Sequence, residues 1–295
     1  GRSDSVAMEP LLTAFFVGML MCFSSICYYF RIPEDLAKKS GRAGRWGPPN
    51  AEFNWCEADY ELTEWVAEPL NTGSCIALIV PPLMFWAMHT NVEPDVGLLV
   101  LTQVFIGIGS VFFHATLRYT MQLLDEVPML WYSQFLVAAL VWRMYKFDVY
   151  ALAGVWCSSL TALIFLTEQH STIHEILRGA MTLSFVVGLV FTGYGFYSLN
   201  SEWTDKHPTA SIAYVRMTLI NFAAFVLSVM CWLVDNYFCP ALQALPLGLP
   251  YPQLHMCWHV LIAYCCLCLL SGLQFYDQSL KEQGREHLRF VFRWG

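Results

Sequence analysis

Eight apolar stretches punctuate the chain, at Leu11–Phe30, Trp65–Met88, Val96–Leu117, Leu123–Tyr145, Tyr150–Leu166, Ile173–Tyr197, Ile212–Val234 and His255–Phe275. Each approaches the roughly 17 to 25 residues that an α-helix needs to cross a bilayer. With 57% hydrophobic and 13% charged residues, against about 25% charged in soluble domains, too little polar surface exists to cover a water-soluble particle of this size. The pattern therefore predicts an all-α polytopic membrane protein: a seven-transmembrane helix bundle built from the last seven stretches, preceded by an extra N-terminal hydrophobic segment. Residues 1–46 are read as that segment and a basic linker, 47–278 as the bundle and 279–295 as a basic cytosolic tail. Leu11–Phe30 fits a signal anchor or a cleaved signal, and Met8 is a candidate initiator.

A net charge of −7 with no Lys/Arg stripe excludes nucleic acid as a partner. The positive-inside rule sets Arg143, Lys146, Lys206, Lys281, Arg285, Arg289 and Arg293 on one side against Arg118 and Arg178 on the other, which makes the C-terminus cytosolic. The run Arg31, Lys38, Lys39, Arg42 and Arg45 opposes that assignment. Cys22, Cys27, Cys75, Cys157, Cys231, Cys257, Cys265, Cys266 and Cys268 lie in apolar runs and read as small hydrophobes. Cys56 and Cys239 have polar flanks, where two thiols could pair on an oxidising side.

An ionisable side chain inside a membrane costs roughly 2.5–3.5 kcal/mol or more and points to function. In LHMCWHVL, His255 and His259 stand four residues apart, which on a helix puts them on one face with Cβ atoms about 5–6 Å apart. His114 in GSVFFHATLRY offers a third imidazole, Ser110 lies one turn before it, and Asp125 in MQLLDEVP opens the next span. With the alternating directions of the spans, these groups fall at one depth, on the lumenal side. Three histidines and an open position define a catalytic zinc, with Asp125 as general acid/base and Ser110 as oxyanion donor for attack on an acyl bond. The milder readings are interfacial hydrogen-bonding for the histidines, back-bonding for Ser110 and helix capping for Asp125. His170 and His174 share the same spacing in a polar loop, where solvated rings are expected, and form a weaker rival site.

The run NWCEADYELTEWVAEPLNT collects Asn54, Glu57, Asp59 and Glu68, with a backbone carbonyl at Trp55. Such hard oxygens suit calcium, although an acidic helix N-terminus reads the same way.

These strings, with WGPPNAEFNWCEADY, AEPLNT, IVPP, GSVFFHATLRYTMQLLDEVPM, WLVDNYFC and HMCWH in the same order, resemble the alkaline ceramidases, of the phytoceramidase type, from about Gly47 through the last helix. The resemblance implies a seven-span enzyme of the endoplasmic reticulum or Golgi that hydrolyses the amide of ceramides to a sphingoid base and a fatty acid. It implies catalytic Zn2+ on His114, His255 and His259 with Ser110 and Asp125 assisting, structural or regulatory Ca2+ on Asn54, Trp55, Glu57, Asp59 and Glu68, and a disulfide between Cys56 and Cys239. The family usually has Asp where Asn54 stands and Asn where Asp59 stands, an exchange that preserves the carboxylate count. The loop from Pro240 to Leu254 is shorter than in mammalian forms. The adiponectin and progestin receptors share seven spans and a three-histidine metal site and are the alternative reading; a G-protein-coupled receptor leaves the histidines unexplained.

Overall fold

A computed structural model describes residues 44–89, 91–206 and 211–282. The apolar segment expected at Leu11–Phe30 and most of the tail expected at 279–295 lie outside the described residues. A short helix, α1 (Pro69–Ser74), leads into α2 (Ile76–Met88); then follow α3 (Pro94–Thr116), α4 (Tyr119–Tyr145), α5 (Tyr150–Leu166), α6 (Thr172–Lys206), α7 (Ser211–Tyr237), the short α8 (Cys239–Gln243) and α9 (Leu254–Glu282). Among the described residues, extended pairing is limited to isolated bridges at Gly44 with Gly47 and Thr63 with Val66.

Local chemistry sets these boundaries. Pro69 and Pro94 occupy the first turns of α1 and α3, where a missing N–H costs nothing. The first span breaks at Cys75, between α1 and α2, and Pro81 and Pro82 lie inside α2. At the end of α3 the chain turns through Leu117 in the left-handed region (φ 48°), whose N–H returns to Phe113. After Arg118, α4 begins at once, so α3 and α4 form a tight antiparallel hairpin. Asp125 therefore falls in the second turn of α4 rather than at its start, and it caps nothing. Glu68 likewise precedes α1 as its N-terminal flanking residue instead of lying inside the helix.

Among the described residues, five segments are long and apolar enough to cross a membrane: Pro69–Met88, Pro94–Thr116, Thr172–Leu199, Thr218–Tyr237 and Leu254–Gln278. This is the composition of an integral membrane protein, with two fewer such segments than the seven expected of the bundle. The difference has a plain source. Asp125, Glu126 and Arg143 dilute the apolar character of α4, and α5 is 17 residues long. The distribution of side chains is inverted relative to a soluble protein. Leu183, Val187 and Val190 of α6 and Phe222 of α7 are more than half exposed, whereas Gln103, Ser110, His114, His255 and His259 are buried. Hydrocarbon outside and polar groups inside is the arrangement that lipid demands.

The core is an apolar cluster shared by α2, α3, α4 and α9, including Phe85, Leu99, Leu140, Val260, Leu270 and Leu273. At one end of the bundle, Arg143 of α4 is buried between Asp95 of α3 (2.5 Å) and Asp277 of α9, and Tyr150 of α5 donates to Asp95 at 2.9 Å. Four helices are tied there. At the other end, α3 and α4 touch backbone to backbone. A Cβ on Gly109 would sit 2.1 Å from the carbonyl oxygen of Leu124 and 2.9 Å from the nitrogen of Asp125. Glycine is thus required for the contact that sets Ser110 beside Asp125.

Gly109→Ala should destabilise the protein by about 1–3 kcal/mol, the usual cost of overpacking, seen as a lower melting temperature in detergent. Gly154→Ala in α5, where a Cβ meets nothing within 4 Å, should leave the melting temperature unchanged or raise it slightly, since Ala stabilises a helix by about 0.5–1 kcal/mol over Gly. Equal melting temperatures for the two variants would contradict the close α3–α4 approach.

Candidate metal centre

The three histidines expected from spacing meet at the hairpin end of the bundle. Ring centroids of His114 and His255 lie 5.0 Å apart, those of His114 and His259 5.0 Å apart, and those of His255 and His259 4.6 Å apart. All three residues are buried, His114 completely. His114 comes from the last turn of α3, while His255 and His259 come from the first two turns of α9.

Each ring is held by a different neighbour. His114 donates from Nδ1 to Oε2 of Glu68 at 2.5 Å, with neither side chain exposed. Its Nε2 is buried and has no hydrogen-bond partner. Ser74 donates to the carbonyl of Asn71 at 2.8 Å, so its oxygen is left to accept from Nδ1 of His259 at 2.7 Å. The indole of Trp55 stacks on His255 with centroids 3.6 Å apart and planes at 18°, and Nδ1 of His255 is also buried without a partner. Unpartnered nitrogens in a dry interior are costly. A cation offers the partner that the protein does not, and imidazole nitrogens suit zinc-like transition metals.

One ligand atom each from Cys75, His114 and His259 lies within 4.8 Å of the others, an arrangement that could hold a metal ion. Cys75 reads as a small hydrophobe in the sequence, yet its thiol sits at the break between α1 and α2, donates to the carbonyl of Asn71 at 3.1 Å and lies 3.9 Å from Nδ1 of His259. Buried Ser110 faces both Asp125 and Cys75. The structure therefore brings Ser110, His114, Asp125, His255 and His259 to one place.

The rival pair does not form a site. His174 is buried, with its ring nitrogens engaged by the hydroxyls of Tyr119 and Thr167, the latter at 2.9 Å, whereas His170 is exposed. The expectation that both rings are solvated thus fails for His174, which the start of α6 turns inward against α4.

The acidic segment before α1 folds over the histidines. Glu57 receives the backbone N–H groups of Leu70 at 2.7 Å and Asn71 at 2.8 Å, the free amides of the first turn of α1. Glu68 receives Trp55 N–H at 3.1 Å and the side chain of Asn71 at 3.2 Å besides the His114 ring. Asn54 donates to Asp59 at 2.9 Å, and its Oδ1 is buried without a hydrogen-bond partner. Burial, reinforced for Glu57 by the charge of Glu68 and for Glu68 by that of Asp59, pushes both glutamates well above the ordinary carboxylate range. So many acids in a dry pocket favour a cation. The Cys56–Cys239 disulfide closes the segment onto the start of α8.

Sequence reasoning missed Ser74, Asn71 and the Trp55 indole. Asn71 and Ser74 leave one signal, being polar residues one turn apart at the start of a span that is apolar from Cys75 on.

Residues 47–295 match the family model described as Ceramidase. Similar proteins include alkaline ceramidase 3 of Mus musculus, 28% identical over 87% of this chain and 95% of the relative, and an alkaline ceramidase of Arabidopsis thaliana, 26% identical over 80% and 87%. Alkaline ceramidase YPC1 of Saccharomyces cerevisiae is 24% identical over 87% of this chain and 85% of its own. With its buried cluster of histidines inside a bundle of apolar helices, the chain is an integral membrane protein with a candidate metal centre. It belongs to the ceramidase family.

A carboxylate behind a ligating histidine typically contributes 10–100-fold to metal affinity. Glu68→Gln should therefore weaken retention of a metal ion at His114 about 10–100-fold in a chelator competition on the purified protein. Wild-type retention would show that the Glu68–His114 contact is incidental.

Proposed function

We propose that this protein is an intramembrane zinc-dependent amidase that hydrolyses the N-acyl bond of ceramides to a sphingoid base and a free fatty acid. The observation that carries the proposal is the convergence of His114, His255 and His259 beside Ser110 and Asp125 in a chain of the ceramidase family. His114, His255 and His259 hold the zinc. His255 is preferred to Cys75 as the third ligand because its buried Nδ1 lacks a partner while the thiol already donates to Asn71. Zinc on three neutral histidines supplies Lewis acidity toward an acyl carbonyl and an acidified water.

The remaining work falls to side chains. Asp125 takes a proton from the attacking water and returns it to the departing amine nitrogen, which must leave protonated. Ser110 donates to the oxygen that becomes negative when the carbonyl is attacked. The exposed apolar flanks of α6 and α7 meet the lipid in which that substrate is dissolved. The named activities of the relatives, all ceramidases, favour this reading over a receptor of the adiponectin or progestin type.

Calcium completes the site in this proposal, held by side-chain oxygens of Asn54, Glu57, Asp59 and Glu68 and the carbonyl of Trp55. It neutralises acids that lie too deep for water to screen. Within a seven-span bundle, with α4 and α5 counted as spans, the metal end faces the lumen of the endoplasmic reticulum or Golgi, where the disulfide is stable, and the C-terminus is cytosolic.

Purified protein should contain about one zinc and release fatty acid from a ceramide panel, the stoichiometry being that of a single three-histidine site. His114→Ala, His255→Ala and His259→Ala should lose both metal and activity. Asp125→Asn and Ser110→Ala should keep zinc and lose roughly 10²-fold or more in turnover. Full activity in His255→Ala, or no hydrolysis of any ceramide by zinc-loaded protein, would reject the proposal.

Calcium adds a pH test. Glu57 and Glu68 titrate above their ordinary value of 4.5 in the fold, so above that pH the folded state binds more protons than the unfolded chain. Stability of calcium-free protein should be greatest below about pH 4.5 as far as these two groups decide it, and should fall as pH rises through their folded values. Saturating calcium should flatten that fall. Melting temperatures across pH with and without calcium read the effect, and parallel curves would remove calcium from these residues.

A further inference from the structure

Where α7 ends and α9 begins, one carboxylate touches three separate parts of the metal end. Asp235, near the C-terminus of α7, is completely buried. Its Oδ2 accepts the backbone N–H of Cys56 at 3.1 Å, in the peptide that joins Trp55 to Cys56. Its Oδ1 accepts the backbone N–H of His255 at 3.2 Å and the hydroxyl of Tyr251. We infer that Asp235 is a positioning residue that fixes His255 relative to the acidic segment, and so sets the geometry of the metal centre from behind.

The backbone explains why such a tie is needed. His255 is the second residue of α9, whose first-turn N–H groups have no partner within the helix. A carboxylate satisfies one of them and complements the positive end of the helix dipole. Just before the helix, Gln253 is held in the left-handed region at φ 52° and is buried, a conformation that persists only when its surroundings enforce it. Oδ1 of Asp235 accepts from the Tyr251 side chain two residues before Gln253 and from the His255 backbone two residues after it. That oxygen therefore pins both sides of the strained turn that aims His255.

The same carboxylate reaches across the disulfide. Cys56 is bonded to Cys239, four residues beyond Asp235, so the Cys56 N–H to Asp235 contact aligns a loop that the disulfide merely keeps nearby. Trp55, the residue before Cys56, stacks on the His255 ring. Asp235 thus fixes both the backbone under His255 and the indole over it. A neutral side chain of the same shape, with one acceptor oxygen and an amide group facing an N–H, cannot reproduce both contacts.

The metal half of this inference rests on the proposed zinc site; the positional half does not. Hydrogen exchange on metal-free protein tests the latter, and Asp235→Asn should raise the exchange rates of the α9 amides from His255 to His259 about tenfold or more, with Tyr251→Phe giving a smaller rise. Chelator competition tests the former: Asp235→Asn should release zinc about tenfold more readily, within the range for supporting groups. Per bound zinc, kcat should fall with KM near wild type. Wild-type exchange in Asp235→Asn overturns the inference, as does wild-type zinc retention with unchanged kcat per zinc and only a lower melting temperature. Failure of wild-type protein to hydrolyse ceramide would strike the proposed function while leaving the exchange result to stand.

Discussion

Glu68 is the residue on which the metal end depends. It is wholly buried, and its two carboxylate oxygens gather Trp55 N–H, the Asn71 side chain and the His114 ring. A carboxylate removed from water persists only if donors or cations replace its hydration. Here the donors come from the acidic segment, α1 and α3, so meeting the needs of one charge assembles three pieces of chain. The His114 contact orients that ring at Nδ1 and leaves Nε2 available, the usual way a ligating histidine is aimed.

The rest of the site follows from helix geometry around that anchor. The two-residue reversal between α3 and α4 and the absence of a side chain at Gly109 bring Asp125 against Ser110. The break at Cys75 ends α1 early enough for Ser74 to meet His259. At the opposite end, Arg143 with Asp95 and Asp277 ties α3, α4 and α9 together. The helices that carry the site are thus fixed at both ends, whereas α6 and α7 are mostly exposed along their apolar windows. Rigid ligand-bearing helices and a periphery dissolved in lipid suit chemistry on a membrane-borne substrate.

Charge balance links the two layers of the metal end. The upper layer holds Glu57, Asp59 and Glu68 with Asp235 close enough to influence both glutamates; the lower layer holds three imidazoles. Glu68 belongs to both. The acidic segment and His114 are therefore joined by a single hydrogen bond through Glu68.

By itself the sequence determined the helical class and the immersion in membrane, because apolar run length is written along one chain, and it singled out His114, His255, His259, Ser110 and Asp125 as candidates from spacing and from their positions near span ends. Each of those signals is local, and each survives without knowledge of the packing. Tertiary structure alone decided that Glu68 lies behind His114, that Trp55 covers His255, that Cys75 lines the cluster instead of filling the core, and that His174 is tied to Tyr119 and Thr167. Those partners lie 46, 200, 184, 55 and 7 positions apart in the chain for Glu68–His114, Trp55–His255, Cys75–His259, Tyr119–His174 and Thr167–His174. The long-range contacts among them exist only once helices cross. His174 shows that even a short spacing cannot tell a ring exposed to water from one turned inward, since which face of a helix meets its neighbours is fixed by packing.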